Sequence, residues 1–353
     1  MVMTKRTTPI IQVSAFLLRF GVIWILVVAQ AMADKTDVVV LVNGNAITGE
    51  VKSLDFGSLK YSTDSMGTVQ IDWEDIVAIN STQSLQVETV DGSRYFGGVQ
   101  PGDEDYQIRI VTDSGTVPLA MRGVVRIVPI ETDEGFWQRV DGSLSFGFNT
   151  QKGSEVSTLN LALDANYRTL TYLAGVTVNS SITDQPSEET SARQSVGLSY
   201  QRFRNNRWFT GWFATWETND ELGINSRVLA GGGLGRYVMQ TNKNQLSLTA
   251  GLVATRETFI GDTDSTVNAE GLLQLKYLHR NLDPESFISL TTSVYPLLED
   301  LSSYRAESDL SFRREFIDDL FFDVTLYRSY LSDPPEGAVG TDYGLTTSIG
   351  YSF

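Results

Sequence analysis

The sequence predicts an all-β protein: a 12-stranded antiparallel transmembrane β-barrel preceded by a pair of small β modules. Three observations predict it. The C-terminal two-thirds alternates apolar and polar residues, as in its last stretch, TDYGLTTSIGYSF, where Tyr343, Leu345, Thr347, Ile349, Tyr351 and Phe353 share one parity. Successive strand side chains point to opposite faces, so this segment has one apolar face and one small polar face. The connections between such segments alternate in length and charge in step with strand number. Near the N-terminus, two stretches repeat at a constant offset of 48 residues.

The elements follow in chain order. Lys5 and Arg6 precede an apolar run from Phe20 to Ala29, and Ala31-Met32-Ala33 follows it. A basic start, a short apolar run and an A-x-A site define a secretory signal peptide over 1–33, cleaved after Ala33. An uncleaved anchor would need a longer run, and Arg19 interrupts this one. Cleavage removes Lys5, Arg6 and Arg19, taking the formal charge from −16 to −19 (−16 minus 3). A chain this acidic is expected to bind no nucleic acid, which requires a basic surface. There is no Cys, which excludes disulfides and thiol chemistry, and a single His. After Ala33 no apolar run reaches the length of a membrane helix, so a membrane location requires a closed barrel.

Residues 34–131 read as two tandem modules, about 38–80 and 86–130. VNGNAITGEV (Val42 to Val51) matches VDGSRYFGGV (Val90 to Val99); at the same offset Gly67-Thr68-Val69 meets Gly115-Thr116-Val117, and Ile76, Val77 and Ile79 meet Val124, Val125 and Ile127. Each copy contains a hairpin turned by Asn-Gly or Asp-Gly, where Gly44 and Gly92 supply the positive φ of a tight turn. Five short bent strands per copy would build a small barrel of the SH3-like or Sm-like kind. Some Sm-like folds bind RNA, but aromatic and basic residues are sparse here and acids frequent. A periplasmic interaction module, with a protein or peptidoglycan partner, is the expectation.

From 132 to 353 the pattern is a meander of twelve strands, about 139–149, 156–168, 170–180, 192–203, 206–217, 224–239, 243–256, 266–278, 285–295, 303–314, 318–328 and 341–353. The second sets Leu159, Leu161, Leu163, Ala165 and Tyr167 against Asn160, Asp164, Asn166 and Arg168. The eighth and tenth alternate in the same way, whereas RWFTGWFATWE is apolar on both faces and its register is unreadable. A soluble sandwich would show the same strand pattern. The connections decide. SSITDQPSEETS, WETNDELG, ETFIGDTDST, PLLEDLSS and SYLSDPPEGAVG are long and acidic, while Arg168-Thr169-Leu170, FRNNR, MQTNKN, HRNLDPE and EFIDD are tight. An up-and-down barrel with long outer loops, short inner turns and an even strand number predicts that alternation; a sandwich does not.

Aromatics near strand ends are expected in interfacial girdles: Trp137, Tyr167, Tyr172, Trp208, Trp216, Tyr277, Tyr295, Tyr304, Tyr327, Tyr343 and Phe353. The terminal Phe353, with Tyr351 before it, resembles the signature by which the barrel assembly machinery of the outer membrane recognises its clients. RVLAGGGLGRYVMQTNKNQLSLTAGLVATRE (Arg227 to Glu257) resembles the glycine-rich hairpin of the salt-induced outer-membrane proteins, a family of unknown function, and LSFGFNTQKGSEVSTLNLAL resembles that family's first hairpin. The resemblance spans about 135–353. It implies an outer-membrane barrel and supplies no molecular activity; the N-terminal pair is an addition to it.

Several chemical readings are set aside on the residues themselves. Gly231, Gly233 and Gly235 are followed by a strand and a turn rather than the helix a phosphate loop needs, so they read as small residues relieving crowding in a strand. His279 ends the eighth strand beside an inner turn, away from the outer rim where a barrel hydrolase would work, and no catalytic residue is assigned. The acidic outer loops could meet lipopolysaccharide phosphates through divalent cations, but no loop has the spacing of a dedicated calcium site, and neither metal nor cofactor is expected. Charges on the polar face carry both signs: Asp164, Arg168, Glu270, Lys276, Arg305, Glu307, Asp309 and Arg313. Twelve strands enclose more space than side chains fill in an eight-stranded barrel, so these residues either plug the lumen or line a narrow aqueous path. The expected protein is non-enzymatic, an envelope structural barrel or small-solute channel; the alternative is an interaction protein acting through the N-terminal modules.

Overall fold

The 48-residue repeat folds twice, and each copy completes the other. The structure, a computed structural model, describes residues 35–353 apart from 131–135, 152–155, 185–189, 262–263, 283–284, 318 and 335–338, so the expected signal peptide lies outside the described residues. The N-terminal strands are β1 (Asp37–Leu41), β2 (Ala46–Asp55), β3 (Ser58–Thr63), β4 (Gly67–Asp72), β5 (Ile76–Thr89), β6 (Arg94–Pro101), β7 (Gln107–Thr112), β8 (Gly115–Ala120) and β9 (Val124–Pro129).

The repeat is visible in the hydrogen bonds. Val42 N donates to Asp75 O at 2.9 Å and, 48 residues on, Val90 N donates to Gly123 O at 2.8 Å. The turn bonds Gly44 N to Leu41 O and Gly92 N to Thr89 O match likewise, both 2.8 Å, and each copy carries a single 3-10 turn, Trp73–Asp75 or Met121–Gly123. The two tandem modules share strands. β5 serves as the last strand of the first copy and the first strand of the second, giving one nine-stranded sheet ordered β4-β3-β2-β1-β5-β6-β7-β8, with β9 pairing β2 and β5. The end of β2 pairs the second copy's β9 (Leu54↔Ile127), and the end of β6 pairs the first copy's part of β5 (Ser81↔Val99). Val39, Leu54, Tyr61 and Trp73 from one copy share a single core with Val87, Ile110, Met121 and Ile127 from the other. Trp73 Nε1 donates to Met121 O at 2.8 Å inside it. The fusion has a plain cause: a module of some 45 residues buries too little apolar surface to stand alone, and sharing a core doubles what each half can bury.

The second sheet is a closed barrel, β10 to β21 in sequence order, every neighbouring pair antiparallel. Its strands are β10 (Val140–Gln151), β11 (Val156–Arg168), β12 (Tyr172–Asp184), β13 (Ser191–Phe203), β14 (Trp208–Asn219), β15 (Ile224–Gln240), β16 (Asn244–Phe259), β17 (Thr266–Leu282), β18 (Glu285–Pro296), β19 (Tyr304–Ile317), β20 (Leu320–Leu331) and β21 (Thr341–Ser352). Connections at one end run from four to nine residues, those at the other from two to four. No helix among the described residues is long and apolar enough to cross a membrane.

The outward face is apolar through the middle of the strands: Phe146, Leu198, Leu252 and Leu273 are each more than half exposed. β14, unreadable in sequence, resolves into Trp208, Trp212 and Trp216 outward and Phe209 and Phe213 inward. The inward rings lie over the glycines of β15, where a Cβ at Gly235 would sit 2.2 Å from Phe209 Cζ. Tyr167, Tyr172 and Tyr200 form a ring-contact chain (6.1 and 5.4 Å between centroids) near the short-turn end, as a girdle requires. Tyr295 and Tyr327 do not belong to a girdle: both share the inward parity of their strands, with arginines stacked on their rings inside the barrel.

The N-terminal sheet seats on the barrel end that carries the short turns. Lys243 reaches Glu74 (3.0 Å), Arg280 Nη2 donates to Gln70 Oε1 (3.3 Å), Arg207 Nη1 donates to Val90 O (3.4 Å), and Lys60 pairs with Asp141.

Candidate functional site: the barrel lumen

The β2–β3 turn, Asp55-Phe56-Gly57, projects into the barrel mouth. Phe56 holds a positive φ of 48°, and its ring meets Phe287 edge-on at 6.5 Å; Gly57 packs against Asn242. Asp55 is the electrostatic joint. Arg126, from the same module, donates to it at 3.0 Å, and Arg168 of the barrel lies 3.7 Å away while stacking on Phe203. Burial alone would push the Asp55 carboxyl up, but Arg126 and then Arg168 outweigh it and hold the group below the usual carboxylate range. Arg126 in turn reaches the buried Glu88 at 3.5 Å.

Behind this joint a cavity of about 1820 Å³ runs up the barrel, walled by inward-facing Ser, Thr, Asn and Gln together with charged side chains of both signs. Asp164, Arg168, Lys276, Arg305, Glu307, Asp309 and Arg313 line it, and Glu270 lies just behind Arg305. Seven of the eight fall into three groups rather than one site. Arg168 stands at the rim with Asp55. In the short-turn half, Asp164 on β11 and Lys276 on β17 face each other across the lumen, and Arg313 donates to Ser143 at 3.2 Å. Lys276 and Asp309 are exposed to the cavity.

The third group lies at the long-connection end. Arg305 clamps Glu270 with Nε (3.0 and 3.2 Å) and Nη2 (3.1 Å), reaches Glu307 with Nη1 (2.6 Å), and stacks over Tyr295 with 3.4 Å from Cζ to the ring centroid. Thr255 donates to the same Glu270 at 2.6 Å. Beside it Arg227 bridges Glu217 (2.8 Å) and Glu257 (2.9 Å). Two residues, Asn219 and Arg193, reach across the lumen to strands that are not their neighbours. Asn219 of β14 donates to Asp342 of β21 at 2.9 Å, and Arg193 of β13 approaches Asp342 (4.0 Å), donates to Ser329 (3.3 Å) and stacks on Tyr327 (4.0 Å). Leu222, from the β14–β15 connection, is buried at this end against the cavity. The lumen is therefore narrowed by polar bridges at one end and by the module at the other.

Sequence reasoning missed half of this constellation. Parity would have found Arg227, two residues of the same phase before the glycine run, and Glu257. Glu217 was hidden by the two-faced β14, and Asp342 and Arg193 pair only through closure of the barrel. His279 Nδ1 lies 2.9 Å from Asn244 Oδ1 at the short-turn end, and no nucleophile pairs with it among the described residues. No group of three or more His, Asp or Glu among them could hold a metal ion.

Among solved structures, the chain is similar to the NanC porin (12% identity, TM-score 0.37, covering 61% of this chain and 98% of that one). It is also similar to CdiB from Acinetobacter baumannii (8% identity, TM-score 0.36, 77% and 66%) and to a bacterial polysaccharide outer membrane secretin (9% identity, TM-score 0.32, 61% and 97%). No curated protein matches the sequence. Residues 143–353, almost the whole barrel and none of the N-terminal sheet, match the family described as "Protein of unknown function, DUF481", and the chain belongs to that family.

Proposed function

We propose that this protein is an exported outer-membrane barrel, its signal peptide removed after Ala33, whose N-terminal module sits in the periplasm and plugs a conduit for small polar cargo. Its role is transport rather than catalysis. The observation that carries this reading is the polar cavity of about 1820 Å³ ending against the module's Asp55-Phe56-Gly57 turn. The apolar outward face supports the membrane location, since a soluble protein rarely exposes a contiguous apolar belt. A plug held at its tip by the Asp55 joint and at its rim by exposed ion pairs such as Lys243 with Glu74 is displaceable, which suits a gate.

The test is conductance in a planar bilayer. The full chain is expected to stay mostly closed, and Asp55→Ala with Arg168→Ala to raise the frequency of discrete openings by loosening the plug. A folded double variant as silent as the parent would refute the conduit; heat-modifiable gel mobility of the extracted protein checks that it is a barrel. A second reading rests on β4 and β8, each paired on one side only at the edges of the N-terminal sheet. Such edges accept an added strand, so a periplasmic partner could dock there and draw the plug away. A pull-down partner that survives charge substitutions along both edges would refute that addition.

A further inference from the structure

The barrel's last seam is half unzipped. Every other neighbouring pair of barrel strands is in register over ten residues or more, but pairing of β10 with β21 runs only from Ser143↔Ser352 to Phe146↔Ile349. A further pair of bonds joins Gly142 and Phe353, 2.9 Å each way, at the short-turn end. Continuing the register would set Gly147 opposite Ser348, Phe148 opposite Thr347 and Asn149 opposite Thr346, yet no ladder forms there. The two strands still touch at Gly147, where an added Cβ would lie 2.2 Å from Thr347 O, so the opening begins beyond it. Past Phe146, β10 is paired only with β11, and the facing length of β21 only with β20. The gap therefore occupies the long-connection half of the wall.

The side chains supply a cause. Asp342 is the second residue of β21, at the unzipped end, and its carboxylate is held from across the lumen by Asn219 and Arg193. Those bonds act on the end of β21 toward the far wall, in the sense that opposes its pairing with β10. Unpaired strand edges do not persist against hydrocarbon, because each bare N–H or C=O there is costly. The groups along this gap must be met by something polar that stands at the boundary between lumen and bilayer. Both axial ends of the cavity are meanwhile obstructed, one by the module and the other by the bridges to Asp342.

The geometry points to a lateral portal between β10 and β21, through which an amphiphile passes with its polar head in the lumen and its acyl chain in the bilayer. This goes beyond the conduit reading, and rests on its membrane location, by adding amphiphiles to the small polar cargo of the axial path. Thr346 and Asn149 flank the gap with the parity of the cavity-lining Ser348 and Ser145, where they would meet the head group. Phe148 and Leu345, with the opposite parity, are exposed on the outward side, where the chain would lie.

The chain has no Cys, so single thiols report cleanly. The full-length protein would be reconstituted in phosphatidylcholine vesicles doped with phosphatidylethanolamine bearing a head-group maleimide. Tyr343→Cys, outward near the strand end, reports the bilayer; Thr346→Cys reports the portal; Thr249→Cys reports a lumen wall whose strands are paired on both sides. Tyr343→Cys is expected to label fastest, Thr346→Cys within about tenfold of it, and Thr249→Cys slower than Thr346→Cys by about tenfold or more. Asn149→Cys repeats the portal measurement from the other strand, and heat-modifiable mobility checks that each variant folds. Thr346→Cys and Asn149→Cys labelling no faster than Thr249→Cys, with Tyr343→Cys labelled, would overturn the portal alone. An unlabelled Tyr343→Cys would overturn the membrane location and the portal together.

Discussion

Arg305→Met isolates what the buried charge network contributes. Arg305 and Glu270 are almost wholly buried, joined by three contacts of 3.0 to 3.2 Å, and Glu307 adds a fourth at 2.6 Å. Methionine keeps much of the side-chain volume and the contact with Tyr295 while deleting the cation. Two carboxylates are then left in a site where water replaces the guanidinium poorly. Breaking a buried pair by removing one partner costs about 3–5 kcal/mol, most of it the penalty of the orphaned charge. At a slope near 3 kcal/mol/M, the urea midpoint of the barrel in vesicles should fall by about 1–2 M, read by heat-modifiable mobility. Arg305→Met combined with Glu270→Gln should recover about 2 kcal/mol or more, because the remaining Glu307 side chain is about 30% exposed and can be solvated. A single variant within about 0.5 kcal/mol of the parent, or a double variant no better than the single, would refute the claim that orphaned charge dominates.

Three more expectations follow from the geometry. Asp55 has a depressed carboxyl, so the module–barrel joint should be fully held above the unfolded-state value near 3.9 and should weaken only as pH falls through the lower folded-state value; protease release of the module should rise only below about pH 4, Asp55→Asn should abolish that acid step, and a transition near neutrality would contradict the assignment. Gly97→Ala should destabilise the N-terminal sheet by about 2 kcal/mol or more, since φ is +152° and a Cβ would lie 1.9 Å from Val111 O; an unchanged thermal midpoint would show that the β6–β7 approach is looser than described. Asp342→Ala should free the end of β21 to zip onto β10, so that an Asn149→Cys/Thr346→Cys pair oxidises more readily when combined with that substitution than when Asp342 is kept; equal yields would mean that the cross-lumen tether does not hold the seam apart.

Much of the barrel was legible because its physics is periodic. Parity along β11, β17 and β19 separates lumen from exterior without any knowledge of partners, and loop length tracks the two ends. Legibility stopped where a residue's role depends on what lies across the fold. Tyr295 and Tyr327 look like girdle aromatics at strand ends, yet the parity of their strands turns them inward, where arginines stack on them. β14 has aromatics on both faces, and only the glycines of β15 reveal which face receives Phe209 and Phe213. The repeat was plain at offset 48, but the exchange of closing strands was not, since both arrangements use the same hairpins. Nothing in the sequence marked Asp55 or Arg126 as the joint, because the two meet across 71 residues and Arg168 comes from farther still.

The exchange of closing strands between the two N-terminal repeats makes each copy structurally dependent on the other. Leu54 pairs with Ile127 and Ser81 with Val99, so one copy by itself would leave both of those edges open unless it met a second. Severing the chain within β5, between Ser81 and Leu85, would therefore yield two fragments that are each incompetent alone yet able to re-form the seal when mixed, like the halves of a split reporter.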